Sequence, residues 1–120
     1  MGTQKDTVNT ITEKNEGQAK IEFEKKIHDF GRISEGEIVS YTFLYENTGT
    51  SNLIITDVKT SCGCTTPGWD NEPVMPGGKG KIEISFDSSG RTGNQYKEIT
   101  VFTNSPIKDS ETLTITAEII

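Results

Sequence analysis

The chain is predicted to be a single all-β domain, an immunoglobulin-like β-sandwich of about seven mostly antiparallel strands, on three observations. Its 120 residues suit one domain. Beyond Lys20 the apolar residues recur with a period near two, and no segment carries convincing helical spacing. Clusters of Gly, Pro, Asn and Ser break the pattern at intervals that suit short strands.

The elements follow in order. Met1–Lys20 is rich in Thr, Asn, Gln, Glu and Lys, with only Met1, Val8, Ile11 and Ala19 apolar, so it is expected to be a disordered polar leader or linker. Met1-Gly2 is read as an artificial start that replaces a native targeting segment. The sandwich is placed at residues 21–120. Its expected strands are Ile21–Glu24, Lys26–Phe30, Ile38–Asn47, Leu53–Thr60, Lys81–Asp87, Tyr96–Asn104 and Thr112–Ile119. Alternation is cleanest where Ile82, Ile84 and Phe86 interleave with Lys81, Glu83, Ser85 and Asp87. It repeats where Leu113, Ile115, Ala117 and Ile119 interleave with threonines and Glu118. Val39, Tyr41, Phe43 and Tyr45 share a third apolar face, and Ile99 with Val101 a fourth. Thr65–Pro76 is expected to be the longest loop of the domain.

Composition narrows the functions. Lys plus Arg number 12 against 18 Asp plus Glu, a formal charge of −6, so a nucleic-acid backbone would be repelled. Hydrophobic residues make up 31%, which suits thin sheets better than a deep enzyme core. No run approaches the ~18 apolar residues of a membrane helix.

Several short strings resemble a known family when taken together. They are Ile27-His28-Asp29-Phe30-Gly31-Arg32-Ile33, Gly36-Glu37, Phe43 through Asn47-Thr48-Gly49, Leu53, Ile55, Ser61-Cys62-Gly63-Cys64-Thr65, Pro76-Gly77-Gly78 and Thr103-Asn104. The resemblance is to a bacterial domain-of-unknown-function family common in secreted proteins of the Bacteroides group, and it covers about Ile21 to Ile120. It implies an immunoglobulin-like fold distantly similar to Hydin-type and major-sperm-protein-type domains. It also implies export to the periplasm or cell envelope, often as a lipoprotein in which a stretch like Thr3–Lys20 links anchor to domain. The anchor cysteine is not in this sequence, so membrane contact is expected only through a lipid anchor lying outside it.

Cys62-Gly63-Cys64 is the string with chemical content. Both cysteines lie in one short segment and cannot staple two sheets. A bridge across so small a loop stabilises by about 1.6 kcal/mol in the loop-entropy description, against about 4 for a loop of about fifty residues. Three readings stay open: a local disulfide or buried thiol pair, a redox-active dithiol, and a soft-metal site for copper or zinc. In the first, Gly63 is expected to permit the tight turn. The third needs further ligands, and His28 and Met75 are the candidates, with Asp70 and Glu72 as oxygen donors.

Other strings read as structure. Asp29-Phe30-Gly31 shares letters with a kinase motif but lacks its companions. His28 is expected at a surface or edge and Phe30 in the core. Pro76-Gly77-Gly78 precedes a strand rather than a helix and is a turn, not a phosphate cradle. Asp70 with Glu72 and Asp109 with Glu111 lack an apolar frame and are read as solvated charges. Trp69, in the expected polar loop, is the partner-contact candidate, with Cys62 and Cys64 beside it.

The expected role is an exported, non-catalytic binding or accessory module, without cofactor, holding a protein or glycan partner. The alternative is a small thiol-redox or metal-handling protein. Self-association through an exposed edge strand is a further expectation.

Overall fold

A computed structural model of the chain describes residues 17–120. The leader expected over Met1–Lys20 lies outside the described residues up to position 16. Eight strands are present among the described residues: β1 (Ile21–Phe23), β2 (Ile27–Ile33), β3 (Ile38–Asn47), β4 (Ile55–Thr60), β5 (Thr65–Trp69), β6 (Lys79–Asp87), β7 (Gly93–Thr103) and β8 (Ser110–Ile119). They form two four-stranded sheets, ordered β1-β3-β6-β5 and β2-β8-β7-β4. Every pairing is antiparallel except β2 with β8, which is parallel.

The period-two pattern builds the core. Ile82, Ile84 and Phe86 of β6 face Phe43, Tyr41 and Val39 of β3 across the first sheet. The second sheet answers with Ile99, Val101, Leu113, Ile115, Ala117 and Ile119, all buried. Alternate side chains of each strand point to opposite faces, so one set meets between the sheets and the other meets water.

The all-β sandwich expected with about seven strands is present, with one strand more among the described residues. The unforeseen strand is β5, in the stretch read as a loop, where Pro67-Gly68 has the look of a turn. β5 sits at the edge of its sheet and pairs only with β6, Pro67 opposite Ile84. An edge strand tolerates proline because a missing N–H on its free side breaks no ladder.

The start of the domain also moves. Ala19, read as part of the leader, is buried in the core. Thr48 and Thr50 donate backbone bonds to the carbonyls of Lys20 (2.9 Å) and Gln18 (2.8 Å). The packed structure therefore reaches back to Gln18.

Asn47 closes this end of the sandwich. Its side chain is fully buried and its Nδ2 donates to the carbonyls of Ser51 and Val74, both at 2.8 Å. Its Oδ1 accepts from the N–H groups of Gly49 at 2.9 Å and Lys20 at 3.4 Å. Its backbone N–H and carbonyl bond Gly78 and Gly77. The turn Met75–Gly78 is closed by Gly78 N–H on the Met75 carbonyl at 2.8 Å, with Pro76 and a left-handed Gly77 (φ 81°) in the middle, the type II arrangement. The sequence reading of Pro76-Gly77-Gly78 as a turn is correct.

Candidate functional site

Residues 61–64 carry the chain from β4 in one sheet to β5 in the other. The Cα atoms of Cys62 and Cys64 are 5.4 Å apart and their sulfurs meet as in a disulfide. Both residues are half-buried. Cys64 N–H donates to Sγ of Cys62 at 3.2 Å, and the Thr65 hydroxyl lies 4.0 Å from that sulfur and 3.8 Å from Sγ of Cys64. Thr65 was not marked in the sequence, since a threonine after a cysteine carries no signal of where its hydroxyl points.

Gly63 is not what makes this turn possible. Its φ lies outside the left-handed region and a Cβ built on it meets nothing within 4 Å, so an alanine fits. The expected conformational role of Gly63 is thereby corrected.

The residues proposed as additional metal ligands do not join the cysteines. His28 lies half-buried on β2, an edge strand of its sheet, stacked on Tyr41, in keeping with the surface or edge position expected of it; Phe30, edge-on to it, is partly buried against the core. Met75 sits in the turn that leads into β6, whereas Cys64 accepts a backbone bond from Asp87 at the far end of that strand. Among the described residues no three His, Cys, Asp or Glu side chains gather as a metal cluster. Of the carboxylates read as solvated, Glu111 is in fact engaged, with Lys26 Nζ at 2.8 Å and Lys108 Nζ at 3.7 Å.

Trp69 is separated from the cysteines by the length of β5, about 13 Å at the usual strand rise, so the two do not form one patch. It ends the strand instead of occupying a loop, opposite Ile82. Beside it runs a groove of about 600 Å³ between Leu44, Tyr45, Val74 and Met75, rimmed by Asp70, Glu72, Lys79 and Lys81. Asp70 and Lys81 also border the smaller hollow against Trp69. Leu44 (45% exposed) and Met75 (67%) thus leave two large apolar side chains open in the groove, and Trp69 (36%) borders the neighbouring hollow. Burial raises the Tyr45 phenol above its ordinary value, and the Asp70 charge adds to the effect. Leu44 was missed, although its place between Phe43 and Tyr45, against the alternation of β3, was a readable signal.

The fold is shared with solved structures. A protein of unknown function from Porphyromonas gingivalis superposes with a TM-score of 0.75 at 21% identity; the match covers 93% of this chain and 52% of that one. The chain thus spans about half the length of that relative. The ASH/PapD-like domain 7 of human CEP192 matches at 0.69 and 14% identity, over 98% of this chain and 96% of that one. WR4, a major-sperm-protein family member of C. elegans, matches at 0.52 and 12% identity, over 83% and 97%. Among curated proteins none matches. At the level of sequence, the model for the family described as protein of unknown function DUF1573 matches residues 21–119, and the chain belongs to that family.

Proposed function

We propose that the chain is an exported, non-catalytic immunoglobulin-like module of the cell envelope that binds a protein or glycan partner in the groove beside Trp69. The observation that carries this reading is the groove with a charged rim in which Leu44 and Met75 stand open, adjoining the hollow against Trp69 through Asp70 and Lys81. An apolar floor with a few polar groups at its border is the usual anatomy of a recognition site. Sulfurs in disulfide contact favour an oxidising compartment, which supports export.

The test is photo-cross-linking in the natural host, with the reactive residue at position 75 and a control at Thr100, on the other sheet. The reading expects the protein in the envelope fraction and a discrete adduct from position 75 that is lost on Trp69→Ala. Cytoplasmic retention defeats the export half, and identical adducts from both positions defeat the groove.

A further inference from the structure

We propose that Cys62 and Cys64 are a reversible dithiol–disulfide couple that exchanges electrons with an external dithiol, Cys64 forming the mixed disulfide and Cys62 leaving as the thiolate. The inference is independent of the groove and of the partner that fills it.

The turn does not need the bridge to keep its shape. Ser61 N–H bonds the Glu98 carbonyl at 3.0 Å and the Ser61 hydroxyl accepts from Glu98 N–H at 3.1 Å, which ties one end to β7. Asp87 N–H bonds the Cys64 carbonyl at 2.9 Å and Thr65 pairs with Phe86, which ties the other end to β6. The Thr60 hydroxyl, at the end of β4, holds the Cys62 carbonyl at 3.0 Å. Both sheets therefore hold residues 61–65 whether or not the sulfurs are joined. A bridge that closes so short a loop also constrains the unfolded chain least. Structural value is small on both counts, and what remains is chemistry.

The surroundings distinguish the two sulfurs. The Thr65 hydroxyl lies near both, at 4.0 Å from Cys62 and 3.8 Å from Cys64, but among the described residues Cys62 alone of the two receives a backbone N–H, that of Cys64 at 3.2 Å. Hydrogen bonds to sulfur stabilise the thiolate, so Cys62 is the better leaving group. Gly63 between them is exposed, and both cysteines are only half-buried, Cys64 with one side packed against the core.

The exchange balances as follows. A thiolate of the external dithiol attacks Sγ of Cys64; the Cys62–Cys64 bond breaks, and its electron pair leaves on Cys62, which takes a proton from water. The second thiolate of the reagent attacks its own sulfur in the mixed disulfide, and that electron pair leaves on Cys64, likewise protonated. The reagent becomes a disulfide, and the chain gains two electrons and two protons.

The experiment equilibrates the folded chain in graded mixtures of reduced and oxidised glutathione, traps thiols by alkylation, reads the mass, and records near-ultraviolet circular dichroism in parallel. Both cysteines are expected to become alkylated in the reducing mixtures and protected in the oxidising ones while the dichroism of the folded state persists. A bridge that opens only when that signal is lost overturns the proposal, as do thiols that stay alkylatable throughout. A second measurement addresses the assignment: at neutral pH the remaining thiol of Cys64→Ala, which is Cys62, is expected to alkylate several-fold faster than that of Cys62→Ala. Equal or reversed rates overturn the leaving-group assignment.

Discussion

The imidazole of His28 lies flat on the ring of Tyr41, with 3.7 Å between centroids and 11° between planes. His28 belongs to β2 and Tyr41 to β3, so this stack joins the two sheets near their edge. The Nδ1 atom of His28 is buried and has no hydrogen-bond partner among the described residues. Burial, and then the charge of Lys25, hold its pKa below the ordinary value of 6.5, with Asp29 pulling the other way.

Stability should therefore depend on pH through His28. Between the ordinary value of about 6.5 and the lower folded value, the unfolded chain binds a proton that the folded chain refuses. The contribution of the neutral imidazole is full above 6.5 and is lost as pH falls through the folded value. Urea midpoints measured across this window should decline with acid in the natural chain, and decline less in His28→Phe.

A second acid limb should follow at lower pH. The Gly31 N–H, and then the Thr116 hydroxyl, hold the Asp29 carboxyl below its ordinary value of 3.8. The backbone N–H and then the hydroxyl of Ser89 do the same for Asp87, with Arg91 adding a smaller effect. These contributions are present above 3.8 and vanish as pH falls through the folded values. Thr116→Val should raise the Asp29 value, as followed by its side-chain carboxyl resonance, and leave Asp87 unmoved.

Asn47→Ala should cost about 2–4 kcal/mol, because it strands the Ser51 carbonyl, leaves the Val74 carbonyl with the Leu53 N–H alone and removes the acceptor of two N–H groups. Asn47→Asp should cost a similar amount, since a carboxylate cannot donate to those carbonyls. Both are expected to lower the urea midpoint without changing the slope.

Two glycines should answer oppositely to alanine. A Cβ at Gly80 would overlap the Tyr45 ring, and Gly80→Ala should cost about 1–3 kcal/mol. Adding Tyr45→Leu should recover part of that loss, so a double-mutant cycle should show coupling between the two positions. Gly63→Ala should stay within about 0.5 kcal/mol of the natural chain, because its Cβ enters open space.

The two-sheet core was legible because alternation is a direct image of the pleat: Ile82, Ile84 and Phe86, or Leu113 and Ile115, can satisfy it in one way only. The strand at Thr65–Trp69 was not legible, since Pro67-Gly68 signals a turn in sequence and only its edge position makes it harmless. Ala19 was hidden because a lone small apolar residue in a polar stretch shows no period. At the candidate site, the cysteine spacing showed a local feature rather than a cross-sheet staple. The separation of Trp69 from the cysteines, however, depends on β5 being extended. The role of Asn47 was also out of reach, because its side-chain partners come from three separate stretches of chain, at Lys20, at Gly49 and Ser51, and at Val74.

The parallel pairing of β2 with β8 dictates when this protein can finish folding. The Asp29 carboxylate meets the Thr116 hydroxyl across a separation of 87 residues, and no local hairpin brings them together. During synthesis β2 must wait with an unpaired backbone until Ser110–Ile119 has been made, a loop closure whose entropy is lost before any contact compensates it. The second sheet therefore completes late, on the millisecond-to-second scale typical of such topologies. Until then the waiting strand is where a misdirected partner can add, so the maturing chain is most vulnerable at β2.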